Sequence, residues 1–456
     1  MDKLFGSSGV RGLTNFELTP SLACDVGLAV ATYAKSKCVV VARDTRVSGC
    51  MIENALVSGL VSCGVTVYLA DVVPTPVLAY ATHVLGADVG FMITASHNPP
   101  QYNGIKVFNS QTLSYVEVDQ VAVEKIISEK QYDLASWQGL GKTVQYDACV
   151  PYLDMVKKVA LLRKKWHVVV DPGCGAAYSV APQMLKMLGC KVTALNAQPD
   201  GYFPARTSEP TAESLKTLSK TVCALGADIG IAFDGDADRV AFIDENGEFV
   251  NFDRVLAAYG AYALKQAGKD GSDGGVVVNV EASMCVETMV EGLGGRVVRV
   301  KVGDIYISEA IKREGAVFGG EPCGAWVHPL QHYCPDGLLS AALFLKALEA
   351  EGKVVSEFIS EVPKYLTLRK NIKCSNEVKT KTITAIAEII KDEIVGFIDF
   401  STIDGVRLAL KDGWLLIRAS GTEPLIRVTV EGKTESIAKE LMYKATVLIC
   451  KQMELS

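Results

Sequence analysis

Short apolar runs, each ending in a polar loop, constrain this chain more than any other feature. Cys38-Val39-Val40-Val41-Ala42 ends in Arg43-Asp44-Thr45-Arg46, and Asp88-Val89-Gly90-Phe91-Met92-Ile93 ends in Thr94-Ala95-Ser96-His97-Asn98-Pro99. Trp166-His167-Val168-Val169-Val170 runs into Asp171-Pro172-Gly173-Cys174-Gly175, and Ala227-Asp228-Ile229-Gly230-Ile231-Ala232-Phe233 into Asp234-Gly235-Asp236-Ala237-Asp238-Arg239. Ala316-Val317-Phe318 precedes Gly319-Gly320-Glu321-Pro322-Cys323-Gly324. Runs this short and this rich in β-branched residues read as strands buried on both faces. Amphipathic stretches such as residues 20–35 and 51–63 read as helices between them. The alternation predicts α/β units, whose ligand contacts lie at the carboxyl ends of the strands.

Within the 456 residues, polar mixed sequence near residues 131–143 reads as a linker. After residue 362 the order changes: strand-like 366–372, a helix over 378–392, two strands over 405–410 and 414–418, and a last helix over 435–452, a small α+β unit. A net charge of −6 argues against a generic nucleic-acid surface. Long charge-free runs such as 55–70 and 72–87 carry Ser, Gly, Thr and Pro; they fall short of the ~20 apolar residues of a membrane span. Met1-Asp2-Lys3 opens no secretory pattern. The 13 cysteines include no C-x-x-C pair, so zinc has no spacing support and a reducing cytoplasm is expected.

Six places carry candidate chemistry. At Ser96 a hydroxyl leaves a strand on a turn fixed by Pro99, beside the His97 imidazole and with Lys106 close in sequence. That suits a nucleophile or phosphate carrier, and equally an ordinary polar turn. Asn103-Gly104 adds a second turn signal. Asp234, Asp236 and Asp238 alternate with small residues, so three carboxylates turn toward one point, as a hard divalent cation requires. Arg239 adjoins them as a phosphate partner. An EF-hand is excluded because its sixth-position glycine is Arg239 here. An aspartyl phosphatase would use D-x-D but leave Ser96 idle. Glu321 sits on a glycine-flanked loop suited to sugar hydroxyls, with Trp326 as a stacking platform and His328 and His332 nearby; a turn with a capping Glu has the same composition. Arg418-Ala419-Ser420-Gly421-Thr422-Glu423-Pro424 with Arg427 reads as a phosphate cradle or a polar hairpin turn. Leu4-Phe5-Gly6-Ser7-Ser8-Gly9-Val10-Arg11-Gly12 is a glycine-spaced loop with one Arg, read as a weak anion site or a mobile terminus. Arg43-Asp44-Thr45-Arg46 reads as ligand contacts or, slightly preferred, a surface ion pair.

Together Thr94–Pro99, Asp234–Arg239, Gly320-Glu321-Pro322-Cys323-Gly324 and Arg418–Pro424 resemble the α-D-phosphohexomutase superfamily, which includes phosphoglucomutase, phosphomannomutase and phosphoglucosamine mutase. The resemblance covers the whole chain, with the four motifs in the family's order. It implies an α/β protein in which three related α/β domains with mixed sheets and a C-terminal α+β domain, similar to the TATA-binding-protein fold, surround a central cleft. The expected divisions are 1–148 (phosphoserine), 149–250 (metal), 251–362 (sugar) and 363–456 (distal phosphate). It implies Ser96 as phosphoserine and Mg²⁺ held by Ser96, Asp234, Asp236 and Asp238. Glu321, with Cys323 and His328, would meet the sugar. Arg418, Ser420, Gly421, Thr422 and Arg427 would bind the phosphate that is not reacting. Arg11, Arg239, Lys106 and His97 would act at the reacting end, with Lys106 or His97 as acid/base. A hexose 1,6-bisphosphate would serve as activator and intermediate, in a cytoplasmic monomer or homodimer that takes a small sugar phosphate. The chain departs from the family's G-E-x-S-G-H pattern at Cys323 and Ala325, leaving His328 or His332 to replace the sugar-loop histidine, and Ser7 stands where Thr is common. The loop is similar to archaeal phosphoglucosamine mutases, so glucosamine 6-phosphate is the expected substrate, with mannose, glucose or pentose phosphates as alternatives.

Overall fold

The computed structural model describes residues 4–6, 9–268, 274–420 and 423–455. Ser7, Ser8, Gly421 and Thr422 lie outside the described residues. Four sheets follow one another along the chain. The first has seven strands in the order Phe5–Gly6, Gly9–Leu13, Tyr102–Asn109, Val89–Ile93, Cys38–Arg43, Thr66–Val72 and Thr143–Gln145. It is mixed: Cys38–Arg43 runs parallel to Val89–Ile93, which pairs antiparallel with Tyr102–Asn109. The second sheet runs Val240–Ile243, Ile229–Phe233, His167–Asp171, Lys191–Ala194, and the third Arg296–Val300, Gly275–Asn279, Phe318–Gly320, Trp326–Val327. Each has a parallel centre and one antiparallel edge strand. The fourth is antiparallel throughout, in the order Leu366–Lys373, Leu425–Gly432, Gly413–Ala419, Val406–Leu410, Phe397–Ser401. Helices Asn376–Glu393 and Glu435–Leu455 pack on it through Ile386, Ile390, Leu441 and Ile449.

The central strands are buried along their whole length, as in Val89–Ile93 and Ile229–Phe233. Covered faces on both sides explain why their sequences do not alternate. One apolar cluster runs unbroken from Val40 and Val77 of the first unit through Val168 and Phe233 of the second to Leu256 and Phe318 of the third. The three α/β units are therefore one packed body, and each fully buried Val or Phe contributes about 1.5–3 kcal/mol.

Two local expectations are corrected. Gly9–Leu13, read as part of a loop, is a strand that pairs with Tyr102–Asn109 and sets Arg11 opposite Gly104. Asn103-Gly104, read as a turn, lies inside that partner strand. The glycine answers to close approach rather than turning, since a Cβ on Gly104 would meet Thr94 O at 2.5 Å and Val10 O at 2.6 Å.

The three α/β units share one device. In each, the residue at the carboxyl end of a central strand braces the loop leaving the next strand. Asp44 accepts from Thr94 Oγ1 at 2.7 Å. Asp171 accepts from Arg206 Nε at 3.2 Å, while Arg206 Nη2 donates to Phe233 O at 2.6 Å. Asn279 Nδ2 donates to Glu321 Oε1 at 2.8 Å.

Candidate active site

Ser96 sits just past strand Val89–Ile93 with φ of 47°, in the left-handed region that a side chain rarely occupies. Such a conformation costs on the order of 1 kcal/mol and persists only where the surroundings impose it. Here they do. Ser96 N donates to Thr94 Oγ1 at 2.8 Å. The Arg46 guanidinium spends all five N–H groups on this turn and its brace. They go to Asp44 Oδ2 at 3.0 Å, Pro99 O at 2.6 Å, Tyr102 O at 2.9 Å, Ser96 O at 2.9 Å and Asn98 O at 2.7 Å. The Asp44–Arg46 pair expected at the surface is fully buried. The reason is physical: the Pro-fixed turn points four carbonyls inward, and a paired guanidinium is the one side chain that satisfies them all.

Ser96 Oγ donates to Asp234 Oδ2 at 2.6 Å and lies 3.3 Å from His97 Nδ1. The two loops meet through Gly235, whose Cβ, if present, would sit 2.5 Å from Ser96 O. Asp234, Asp236 and Asp238 offer ligand atoms within 4.8 Å of one another. Lys106 Nζ bridges Asp236 Oδ2 at 2.7 Å and Asp238 Oδ2 at 2.6 Å, and Thr75 Oγ1 donates to Asp236. Burial, with Asp238 and Asp236 adding repulsion, pushes the Asp234 carboxyl well above the usual range. Asp236 moves the other way: burial raises it, but Lys106 prevails and holds it low. Burial alone would lower Lys106, yet Asp236 and Asp238 hold it above an ordinary lysine.

Arg239 Nη1 donates to Glu209 Oε1 at 2.8 Å, and His97 Nε2 lies 3.8 Å from Glu209 Oε2. Burial and then the charges of Arg239 and Arg11 bring the His97 imidazole down to about 3, so it is neutral at physiological pH. Arg11 Nη1 donates to Asn98 Oδ1 at 2.9 Å, which places it over the Ser96 turn. Thr75, Ser208 and Glu209 were not singled out by sequence reasoning. Ser208 Oγ donates to His97 O at 2.8 Å, so the Ser208-Glu209 turn cradles the same loop.

From the third unit, Glu321 Oε1 accepts from Asn279 Nδ2 and, at 2.9 Å, from Gly303 N. The Arg239–Ala325 bridge lays the Cys323 loop against the metal loop. Burial pushes the Cys323 thiol up to about 12, against the pull of Arg239. The two histidines and Trp326 are elsewhere. His328 is buried, bonded through Nε2 to Ser340 Oγ at 2.9 Å and packed against Tyr259 and Phe318. His332 is buried on Asp336 Oδ2 at 2.9 Å. Trp326 stacks on Tyr259 with centroids 5.0 Å apart. All three are core residues rather than sugar contacts. The reason is that strand Trp326–Val327 pairs inward, on Phe318–Gly320. Burial brings the His328 imidazole from 6.5 down to about 3. Unfolding therefore takes up a proton there, and the stability this neutral ring contributes is present above pH 6.5 and lost as pH falls toward about 3. Thermal melts of His328→Gln across this window are expected to show a shallower acid dependence than the wild type, with KM unchanged.

In the fourth unit, Arg418 and Arg427 are paired across neighbouring strands. Arg418 Nη1 donates to Glu281 Oε1 at 2.6 Å and Nε to Asp404 Oδ1 at 3.0 Å, tying this unit to the third. Arg427 Nη2 donates to Glu423 Oε2 at 2.9 Å on the exposed side. Ser420 Oγ accepts from Glu423 N at 3.1 Å. The described members of the distal cradle thus converge at one hairpin end, while Gly421 and Thr422 lie outside the described residues.

A strained hydroxyl facing three buried carboxylates, ringed by cations from two units, is an arrangement suited to phosphoryl transfer, built between domains. Four domain models of the phosphoglucomutase/phosphomannomutase family match in order: domain I over residues 2–133, II over 150–247, III over 251–365 and the C-terminal domain over 370–445. A protein of Pyrococcus abyssi named "Probable phosphoglucosamine mutase" is 43% identical over 449 residues, covering 98% of each chain. The crystal structure of a phosphoglucomutase/phosphomannomutase family protein from Burkholderia thailandensis superposes with a TM-score of 0.88 at 26% identity, over 99% of this chain and 97% of that one. An Aspergillus fumigatus N-acetylphosphoglucosamine mutase, solved with GlcNAc-6P and magnesium, shares the fold at a TM-score of 0.64 and 15% identity, over 99% and 95% of the two chains. The chain belongs to the phosphoglucomutase/phosphomannomutase family, within the α-D-phosphohexomutase superfamily. It is a mutase, an enzyme of the isomerase class. Among its described residues no helix is long and apolar enough to cross a membrane.

Proposed function

We propose that the enzyme moves phosphate between O6 and O1 of a hexose phosphate, with glucosamine 6-phosphate converted to glucosamine 1-phosphate. The observation that carries the reaction type is the 2.6 Å meeting of Ser96 Oγ with Asp234 beneath Arg11, Lys106 and Arg239. The choice of sugar is supported by the name of the Pyrococcus relative. The aspartates fit a hard divalent cation: all donors are carboxylate oxygens, and Asp236 Oδ1 and Asp238 Oδ1 are buried without a partner. Asp234, Asp236, Asp238 and phosphorylated Ser96 would hold Mg²⁺, which when bound supplies charge neutralisation for the phosphoryl group.

The chain's own residues do the rest. Phospho-Ser96 gives its phosphoryl group to the free sugar hydroxyl. The bond from Ser96 Oγ to phosphorus breaks as the new ester forms, and the hydroxyl proton passes to His97. Lys106, committed to two carboxylates, and Arg11 balance the charge. The product of this half is a 1,6-bisphosphate, which turns over and returns its other phosphate to Ser96. Arg418, Ser420 and Arg427, with Gly421 and Thr422, hold the idle phosphate. Glu321 holds sugar hydroxyls. The partner is a small sugar phosphate, taken by a cytoplasmic monomer or homodimer.

Phosphorus NMR tests the proposal. Protein, Mg²⁺ and a trace of hexose 1,6-bisphosphate are mixed in turn with glucosamine, mannose, glucose and ribose phosphates. Fastest exchange on glucosamine phosphate is expected; release of inorganic phosphate alone defeats the reading, and a different preferred sugar changes only the substrate. EDTA is expected to stop exchange, and excess Mg²⁺ to restore it, in the same assay.

A further inference from the structure

We infer that Asp304 is a specificity-determining residue that receives the amino group of an aminosugar phosphate, an inference that rests on the mutase reading above. Asp304 opens helix Asp304–Glu314, just past strand Arg296–Val300, on the same end of the third sheet that carries Glu321. The preceding residue touches the sugar loop directly, through the bond from Gly303 N to Glu321 Oε1 at 2.9 Å. Asp304 also lies within electrostatic reach of Lys106 and Arg11 from the first unit, Asp238 from the second and Glu321 from the third. It therefore faces the point where three units meet.

Its Oδ1 is buried and has no hydrogen-bond partner among the described residues. A buried carboxylate oxygen with nothing to accept from is costly. Burial accordingly pushes this carboxyl up to about 6, with Lys106 opposing. The group that completes it is a donor from outside the chain. Metal ligation does not complete it, because the triad that gathers around one point is Asp234, Asp236 and Asp238, without Asp304. Phosphate is excluded by charge. On the sugar side the donors are hydroxyls and, in an aminosugar, an ammonium. Glu321 already offers a carboxylate to hydroxyls. A second carboxylate beside it discriminates most strongly for a cation, since charge-assisted hydrogen bonds are about twice as strong as neutral ones. A site built to bond such a group discriminates against the analogue that lacks it.

The test compares two sugars in the full-length enzyme. The values of kcat/KM for glucosamine 6-phosphate and glucose 6-phosphate are measured for wild type, Asp304→Asn and Asp304→Glu under identical Mg²⁺. The amide keeps the shape and removes the charge. The ratio of the two values is expected to fall by about 10- to 100-fold in Asp304→Asn, and to recover in part in Asp304→Glu. An unchanged ratio, whether both sugars lose equally or neither does, overturns the inference and points to a role in proton transfer or in the fold. Calorimetric binding of the same two sugars to Ser96→Ala, with and without Asp304→Asn, reads the ratio without turnover. A wild type that moves no phosphate thus defeats the mutase reading while the binding ratio still decides Asp304.

Discussion

Replacing Ser96 by alanine is expected to lower kcat by about 10⁴-fold or more while leaving the fold and sugar-phosphate binding in place. The size follows from removing the atom that carries the phosphoryl group, for which no neighbour substitutes. His97 is the nearest other nucleophile, with Nδ1 3.3 Å from the hydroxyl, but an imidazole drawn down to about 3 is a weak one. The substitution removes one hydroxyl donor to Asp234 and no apolar packing, so the melting temperature is expected to stay within a few degrees. Steady-state kinetics, with mass spectrometry after bisphosphate treatment, check both halves: the wild type gains one phosphate on Ser96 and the variant gains none. Retained turnover would refute the covalent route.

Arg46→Ala is expected to be the most damaging change away from the reacting atoms. It strips Asp44 of its buried counter-ion, leaving the Thr94 hydroxyl, and removes one donor each from the carbonyls of Ser96, Asn98, Pro99 and Tyr102. Breaking such a pair costs about 3–5 kcal/mol, a large share of the margin of a typical domain. The folded fraction is also expected to turn over about 10²-fold more slowly, because the strained turn that aims Ser96 loses its support. Arg46→Lys keeps the charge but offers at most three N–H donors in place of five, so it should recover stability better than rate. Guanidinium ion added to Arg46→Ala provides the decisive readout. Partial return of kcat marks a positioning role; a rate that follows only the folded fraction would reduce Arg46 to a scaffold residue.

The difference between Ser96 and Arg46 also shows what was legible in the sequence. The three aspartates stand out because like charges so close together are costly unless used, whereas Ser96 reads locally as either a carrier or a plain turn and only the resemblance singles it out. The strands that carry them were equally plain, since burial on both faces leaves uninterrupted apolar runs. Arg46 was visible but misplaced: four residues of alternating charge look the same on a surface as in a clamp, and only the carbonyls of a turn some fifty positions later distinguish the two. Thr75, Glu209 and Asn279 act on loops from distant stretches or other units, so nothing near them in sequence marks the role. His328 and Trp326 were misread for a related reason. A two-residue strand, Trp326–Val327, is too short for periodicity to say which way its neighbours face.

The shared brace in the three α/β units has a consequence for how such enzymes change. Asp44, Asp171 and Asn279 occupy equivalent strand ends, and each steadies a different loop: those of Ser96, of Asp234 and of Glu321. Each brace lies within its own unit, but bonds from Lys106 and Thr75 to Asp236 and from Ser208 to His97 O also tie the first two loops together, so a substitution in either of those two is felt by the other. The Glu321 loop, whose side-chain anchor Asn279 lies in its own unit, tolerates a change of composition with less effect on the meeting of Ser96 and Asp234. Repetition of one unit thereby divides the labour: two units fix Ser96 against Asp234, and the third is left to fit what is brought to them.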